Sequence, residues 1–124
     1  MPNAINWFEI PATDFDRAVD FYTGLLQTTI RKEVFAGMPN GIFVTDDDKA
    51  VGGAIVQGDG YTPTTAGALV YLNAKTVDNM DKILARVEPS GGKVVMPRTH
   101  IGDPGYIAII TDTEGNRVGL HSPN

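Results

Sequence analysis

The chain has 124 residues, a net charge of −5, 42% hydrophobic residues and no cysteine. This length suits one domain with a single core, and the lack of cysteine excludes disulfides, thiolate nucleophiles and sulfur-ligated metals. Lys and Arg are not clustered enough to contact a nucleic-acid phosphate backbone. The first residues lack the basic and apolar segments of a signal peptide, and no apolar stretch approaches the ~20 residues that span a bilayer. We therefore expect a soluble, cytoplasmic protein that binds neither nucleic acid nor membranes.

The first half of the chain predicts the order βαβββ. Residues 4–11 are rich in β-formers and end at a proline, which favours a first strand. Thr13 or Asp14 can cap a helix over 14–25, because apolar residues there recur at spacings of three and four. Short strands are predicted over 28–35, 41–46 and 51–57, separated by turns at 37–41 and 46–49.

The second half predicts the same order after a loop at 58–67 that is rich in Gly, Pro and Thr. A strand over 68–74 precedes a helix over 76–88, which Thr76 can cap and which stops at the sequence PSGG. Three strands are then expected over 93–98, 105–112 and 117–121.

The two halves also match in residues, which indicates an internal duplication. At an offset of 66, residues 43–46 (FVTD) lie on 109–112 (IITD) and Gly53 lies on Gly119, while Thr13 and Thr76 correspond at an offset of 63. We predict one α+β domain of two βαβββ repeats, about 4–57 and 67–122. Each repeat is expected to curve into a half-open sheet, and the two together to form a curved, cleft-bearing mixed sheet surface of eight strands.

Four segments resemble signatures of the vicinal oxygen chelate superfamily, which includes glyoxalases, bleomycin resistance proteins and dioxygenases. They are residues 7–11 (WFEIP), 16–22 (DRAVDFY), 91–95 (GGKVV) and 112–120 (DTEGNRVGL). The resemblance covers nearly the whole chain and implies the repeated βαβββ fold. It leaves the reaction open, since the superfamily contains isomerases, dioxygenases, epimerases, transferases and metal-free binding proteins.

Active members of this superfamily hold a divalent metal with His, Glu or Gln side chains on the first and last strands of each repeat. Carried onto this chain, those positions fall at Trp7, near Val70, at Gly53 and at Gly119. None of these side chains has a lone pair for a metal. We therefore expect no metal and no other cofactor.

Other residues near these positions are candidates for ligand binding or for general base catalysis. His121 shares a strand face with Gly119, and Glu9 shares one with Trp7, because side chains alternate along a strand. Each has a structural interpretation too: His121 as an exposed or hydrogen-bonded residue, Glu9 as one member of an ion pair.

Gln57, on the face of Gly53, is a possible polar contact, and His100 lies in a predicted loop; either residue could simply be solvated. Residues 46–48 (DDD) lack the ligand spacing of a calcium loop and predict a turn.

Two functions are compatible with these residues. In a metal-free module for a small organic molecule, Trp7 would form an apolar wall, Gly53 and Gly119 would open space, and Glu9, Gln57 and His121 would supply polar contacts. The alternative is an enzyme that acts on a small oxygenated substrate. It could be a glyoxalase-type lyase or isomerase, or a dioxygenase-like enzyme, with non-standard metal ligands. It could also be a metal-free enzyme that uses Glu9 or His121 as a general base. A homodimer is expected in either case, because a chain of this size leaves a wide sheet face only partly covered.

Overall fold

The computed structural model describes residues 3–124, which form two βαβββ repeats in the predicted order. The first repeat contains β1 (Trp7–Pro11), α1 (Phe15–Leu26), β2 (Ile30–Phe35), β3 (Met38–Phe43) and β4 (Gly52–Val56). The second contains β5 (Tyr71–Asn73), α2 (Val77–Val87), β6 (Lys93–His100), β7 (Tyr106–Thr111) and β8 (Arg117–Ser122).

Each repeat builds its own four-stranded mixed sheet, in the order β1-β4-β3-β2 and β5-β8-β7-β6. The first strand of each repeat pairs in parallel with the last strand, and the other pairings are antiparallel. The prediction of one sheet per repeat is therefore confirmed, and each sheet has a helix on one face and an open face opposite.

The hydrophobic core lies between the sheets and their helices and is shared by both repeats. Helix α1 places Tyr22 and Leu25 in it, helix α2 places Met80 and Ile83 in it, and all four side chains are fully buried or nearly so. The two residues of each helix lie three positions apart, as on one apolar stripe of a helix. Asp14 and Thr76 cap the two helices through their side-chain oxygens, as the sequence predicted. Within residues 3–124, no helix is long and apolar enough to cross a bilayer.

The start of β3 differs from the prediction. The segment 37–41 was expected to be a loop, but β3 begins at Met38 and pairs with Phe35 of β2. Two residues, Ala36 and Gly37, form the whole turn, both with positive φ (52° and 77°). Such two-residue turns match the right-handed twist of a hairpin. The predicted turn at 46–48 is present, closed by the Asp47 carboxylate, which accepts from the Lys49 amide at 2.9 Å.

Strand register shows how the two repeats correspond. Ile10 pairs with Ile55, and Leu72 pairs with Leu120. Ile10 and Leu72 each lie four residues before the cap of the following helix, so the first strands correspond at an offset of 62. The last strands therefore correspond at an offset of 65 rather than 66.

This one-residue difference changes which residues share a face. At an offset of 65, Gly119 corresponds to Ala54, and Gly53 lies one position away. Because side chains alternate along a strand, a shift of one residue moves a side chain to the other side of the sheet. Gly53 thus lies on the helix-covered face, whereas Gly119 lies on an open face.

The turn between β7 and β8 joins the two repeats. The Tyr22 hydroxyl of α1 donates to Asp112 at 2.6 Å, and both side chains are buried. Burial, followed by the neighbouring Asp112 carboxylate, raises the pKa of Tyr22 well above its ordinary value, so this phenol stays protonated. The Asn116 amide donates to the Pro11 carbonyl at 2.7 Å and to Asp112 at 3.0 Å. The segment expected to be only a hairpin therefore also fixes the first repeat against the second.

Glu114, in the same turn, receives hydrogen bonds from the start of the first helix. Its carboxylate has no exposed side-chain surface and accepts from the Thr13 and Asp14 amides at 3.0 and 2.7 Å and from Arg17 at 2.7 Å. Burial alone would raise the pKa of Glu114, but these bonds and one from the Thr113 hydroxyl lower it to about 2. The buried carboxylate is fully ionised at neutral pH and ties the two repeats together.

Candidate functional site

The open face of the first sheet carries the pocket that contains two of the predicted site residues. Alternation along β1 places Trp7 and Glu9 on this face, as expected, because Phe8 and Ile10 point to the core. The pocket has a volume of about 380 Å³. Trp7 is 45% exposed, so its ring forms an accessible wall. Aromatic, aliphatic and amide side chains from β2, β3 and β4 complete the lining: Phe35, Met38, Asn40, Ile42 and Val56.

Tyr61 closes this pocket from the loop between the repeats. Its hydroxyl donates to Glu9 Oε1 at 2.7 Å. This hydrogen bond, together with partial burial and the charge of Glu9, raises the pKa of Tyr61. The carboxylate and phenol form one polar end of a mostly apolar pocket. Sequence reasoning missed Tyr61, although it is the only aromatic residue in a loop of Gly, Pro, Thr, Ala and Asp.

The open face of the second sheet carries Gly119 and His121. With Tyr71 and Asn73 of β5, His121 lines a second pocket of about 390 Å³. Its Nε2 lies 2.8 Å from the Pro104 carbonyl, so this ring nitrogen donates to a loop carbonyl. The interpretation of His121 as a hydrogen-bonded residue is supported by this contact.

Neither glycine opens space for a ligand, contrary to expectation. A Cβ at Gly119 would overlap the ring of Tyr71, and a Cβ at Gly53 would overlap the ring of Phe8. At both positions a larger residue would force the aromatic ring of the paired strand to move, because that ring lies over the glycine backbone.

Gln57 and His100 also have structural partners. Gln57 Oε1 accepts from the Phe15 amide at 2.8 Å and so satisfies one free N–H at the start of α1. The exposed ring of His100 lies 5.0 Å from that of Tyr106. The structure thus brings Trp7 and Glu9 together, and places Gly53, Gln57, Gly119 and His121 elsewhere.

The corrected register changes two of the positions at which a metal would be held. At offsets of 62 and 65, the four positions are Trp7, Ala54, Leu69 and Gly119, with Ala54 and Leu69 in place of Gly53 and Val70. None offers a side-chain donor, so these positions do not fit a divalent metal. Among residues 3–124, no three His, Asp or Glu side chains gather closely enough to hold a metal ion.

A larger cavity, of about 590 Å³, lies away from the Trp7 pocket and shares Tyr71 and Asn73 with the pocket on the second sheet. It is bounded by the end of α1, the first half of α2 and the segment 68–73 that leads into β5. Trp7 and Glu9 do not line it. The Glu9 carboxylate therefore lies beside aromatic rings only in the Trp7 pocket, and the larger cavity is a separate feature.

Comparison with known proteins identifies the family. The profile of the Glyoxalase/Bleomycin resistance protein/Dioxygenase superfamily matches residues 4–120. The chain belongs to this superfamily. A curated relative from Mycobacterium bovis, named "Putative glyoxylase CFP32", is 30% identical over 133 aligned positions, which cover 96% of this chain and 45% of the relative. The chain thus spans about half the length of the curated relatives it matches.

Solved structures show the same glyoxalase-like fold. A glyoxylase/bleomycin resistance protein/dioxygenase domain from Frankia superimposes with a TM-score of 0.74 at 12% identity, covering 98% of each chain. TnmS3, an antibiotic binding protein from Streptomyces, superimposes with a TM-score of 0.65 at 22% identity, covering 98% of this chain and 97% of TnmS3. At these sequence identities, the structural likeness shows the fold of this chain.

Proposed function

We propose that this protein is a metal-free binding module for a small, planar organic molecule. The observation that carries the proposal is the pocket on the first sheet, where Trp7 forms a wall and the paired Glu9 and Tyr61 form a polar end. A mostly apolar pocket with a few convergent polar groups is the usual form of a small-molecule site. TnmS3, named as an antibiotic binding protein, shares the fold and supports a binding role.

The side chains of this pocket favour a ligand that carries positive charge. Among residues 3–124, Glu9 is the only charged residue that lines it, and its partner Tyr61 is a neutral phenol. Indole and phenol faces attract cations, and a carboxylate adds a charge-assisted hydrogen bond. We infer that the ligand is a planar aromatic cation whose ring lies on Trp7.

A cationic ligand implies an order of affinity within a matched set of quinolines. We expect 1-methylquinolinium to bind more tightly than neutral quinoline, and quinoline-2-carboxylate to bind least, as measured by calorimetry at pH 7.5. Glu9→Gln should weaken the cation about tenfold and leave quinoline unchanged, because only the charge-assisted part of the contact is lost. Glu33→Gln, at an exposed carboxylate that does not line the pocket, is the control. Equal affinities for all three compounds would overturn the charge assignment.

A second candidate is a metal-independent enzyme that uses the same pocket. The Glu9 carboxylate, 2.7 Å from the Tyr61 hydroxyl, has the geometry of a general base beside a proton donor. This function requires exchange of a ligand C–H proton with solvent. For the binding module, we expect proton NMR in deuterated buffer to show no exchange above the rate without protein.

The metal content of the protein is a further expectation of the binding module. Protein purified without added metal should contain no stoichiometric Zn, Ni, Fe or Mn, and EDTA should change neither its melting temperature nor the affinity for 1-methylquinolinium. The reason is that Trp7, Ala54, Leu69 and Gly119 provide no donor. A metal that binds the folded state would stabilise it, so loss of one equivalent would lower the melting temperature. Elemental analysis that finds one bound equivalent, with such a loss, would restore the metalloenzyme interpretation.

We further propose that the protein is a homodimer in which the open sheet faces are partly covered. Large apolar side chains on or near these faces remain accessible, including Trp7, Phe35, Tyr71 and Ile101, each at least 40% exposed. Contiguous exposed apolar surface marks an interaction site in many proteins. Light scattering at micromolar concentration should give about twice the chain mass of 13.3 kDa. A mass of one chain would contradict the dimer.

A further inference from the structure

The cavity of about 590 Å³ between the two repeats has the composition of a second ligand site. Eleven of its 15 lining residues are apolar or aromatic. Its volume falls within the range of about 300–1,000 Å³ that is typical of small-molecule sites. It shares no lining residue with the Trp7 pocket.

The hydrophobic core opens to solvent at this cavity. Phe8, Phe43 and Val70 pack against buried core residues and yet stay only half-buried. All three line the cavity, as do Leu26 from the end of α1 and Ile83 from α2. Covering such surface is favourable because it removes apolar area from water. An apolar group bound here would complete the core.

The described lining of the cavity contains one charged residue, and its charge is positive. Within the described part of the chain, Lys75 is the only Lys, Arg, His, Asp or Glu residue in the lining, although the whole chain carries a net charge of −5. The Lys75 side chain makes no ion pair with any residue of the described range 3–124. It immediately precedes the capping residue Thr76, so the positive end of the α2 dipole adds to its charge.

We propose that this cavity binds a carboxylic acid with an apolar tail. The carboxylate pairs with Lys75, and the tail covers the half-buried rings of Phe8 and Phe43. This site takes a ligand of the opposite charge to the one proposed for the Trp7 pocket, and it stands independently of that function.

The experiment compares three compounds with a ten-carbon chain by calorimetry on the full chain, each below its micelle concentration or solubility limit. We expect decanoate to bind at one molecule per chain and 1-decanol to bind about fivefold more weakly. Decyltrimethylammonium should show no binding that Ala68→Trp removes, because this cation can bind only at the Trp7 pocket. The alcohol retains the contacts of the apolar tail and lacks only the ion pair with Lys75. An ion pair at an exposed lysine contributes little to the affinity. Shortening the acid to octanoate should weaken binding about tenfold, because each buried methylene contributes ~0.8 kcal/mol.

Two variants locate the bound acid. Lys75→Gln should weaken decanoate about fivefold and leave decanol unchanged, whereas Lys82→Gln, at an exposed lysine of α2 outside the lining, should change neither. Ala68→Trp places an indole in the cavity from an exposed loop position and should abolish binding of both compounds. Melting temperatures close to that of the parent chain would show that the variants fold.

Several results would overturn the proposal. The first is a folded protein with no decanoate binding at millimolar concentration. A second is equal affinity for decanoate and decanol, or a response to Lys82→Gln as large as that to Lys75→Gln. A third is loss of decanoate binding in Trp7→Ala, which would place the acid in the pocket on the first sheet instead.

Discussion

Replacing Glu114 with Ala should destabilise the folded state by about 3 kcal/mol at pH 7. The pKa of this carboxyl falls from an ordinary 4.5 to about 2 in the folded protein, and a tenfold change in proton affinity corresponds to about 1.4 kcal/mol. The substitution also leaves the Thr13 and Asp14 amides and Arg17 without their acceptor. Urea denaturation at pH 7 measures the effect.

Glu33→Gln is the matched control for this prediction. Glu33 pairs with Arg31 at 3.3 Å on the surface, where such an ion pair contributes at most about 1 kcal/mol. Comparable losses for Glu114→Ala and Glu33→Gln would contradict the assignment of Glu114 as a residue that joins the repeats.

The same carboxyl gives the protein a defined acid sensitivity. Because the folded pKa lies below the unfolded one, the stabilisation is complete above about pH 4.5 and is lost as the pH falls towards 2. Glu114→Gln cannot ionise, so its free energy of unfolding should lack this part of the acid dependence. If the free energy of unfolding of that variant falls as steeply between pH 4.5 and 2 as that of the parent chain, other carboxyls cause the acid dependence.

The second large effect is expected on ligand affinity. Trp7→Ala should weaken binding of 1-methylquinolinium between tenfold and a hundredfold, since a stacked aromatic ring contributes about 1–3 kcal/mol through area and ring contact. Trp7 is 45% exposed, so the fold should tolerate the change. Calorimetry measures the affinity, and Trp7→Phe should restore most of it because a ring remains.

Unchanged affinity in a folded Trp7→Ala protein would remove Trp7 from the site. The proposed pocket would then lack its principal apolar wall, and the role of Glu9 and Tyr61 would have to be sought with another ligand.

Periodicity and capping predicted the elements of this fold well. Spacings of three and four placed α1 within one residue of its observed ends, and the same pattern with Thr76 as cap placed α2. The repeated βαβββ order was confirmed. The β3 boundary was missed because the Ala36-Gly37 turn needs only two residues, whereas the sequence offered a longer stretch of turn formers.

The candidate site was predicted only in part, for reasons of register and long-range contact. Alternation within β1 correctly placed Trp7 and Glu9 together, because that inference needs no alignment between repeats. Matching Gly53 to Gly119 did need an alignment between the repeats. An error of a single residue in that alignment assigned the two glycines to the same face of their sheets, although they lie on opposite faces. Tyr61 reaches Glu9 across 52 positions of sequence, a contact that no local pattern reveals.

Trp7 is the only tryptophan in the chain, so its fluorescence reports directly on the proposed site. The decisive measurement is a titration of the protein with 1-methylquinolinium in buffer containing EDTA, followed by tryptophan emission. We predict saturable quenching with the affinity found by calorimetry, unchanged by EDTA. Binding that calorimetry detects while the emission stays constant, or quenching that appears only after a divalent metal is added, would contradict a metal-free ligand site at Trp7.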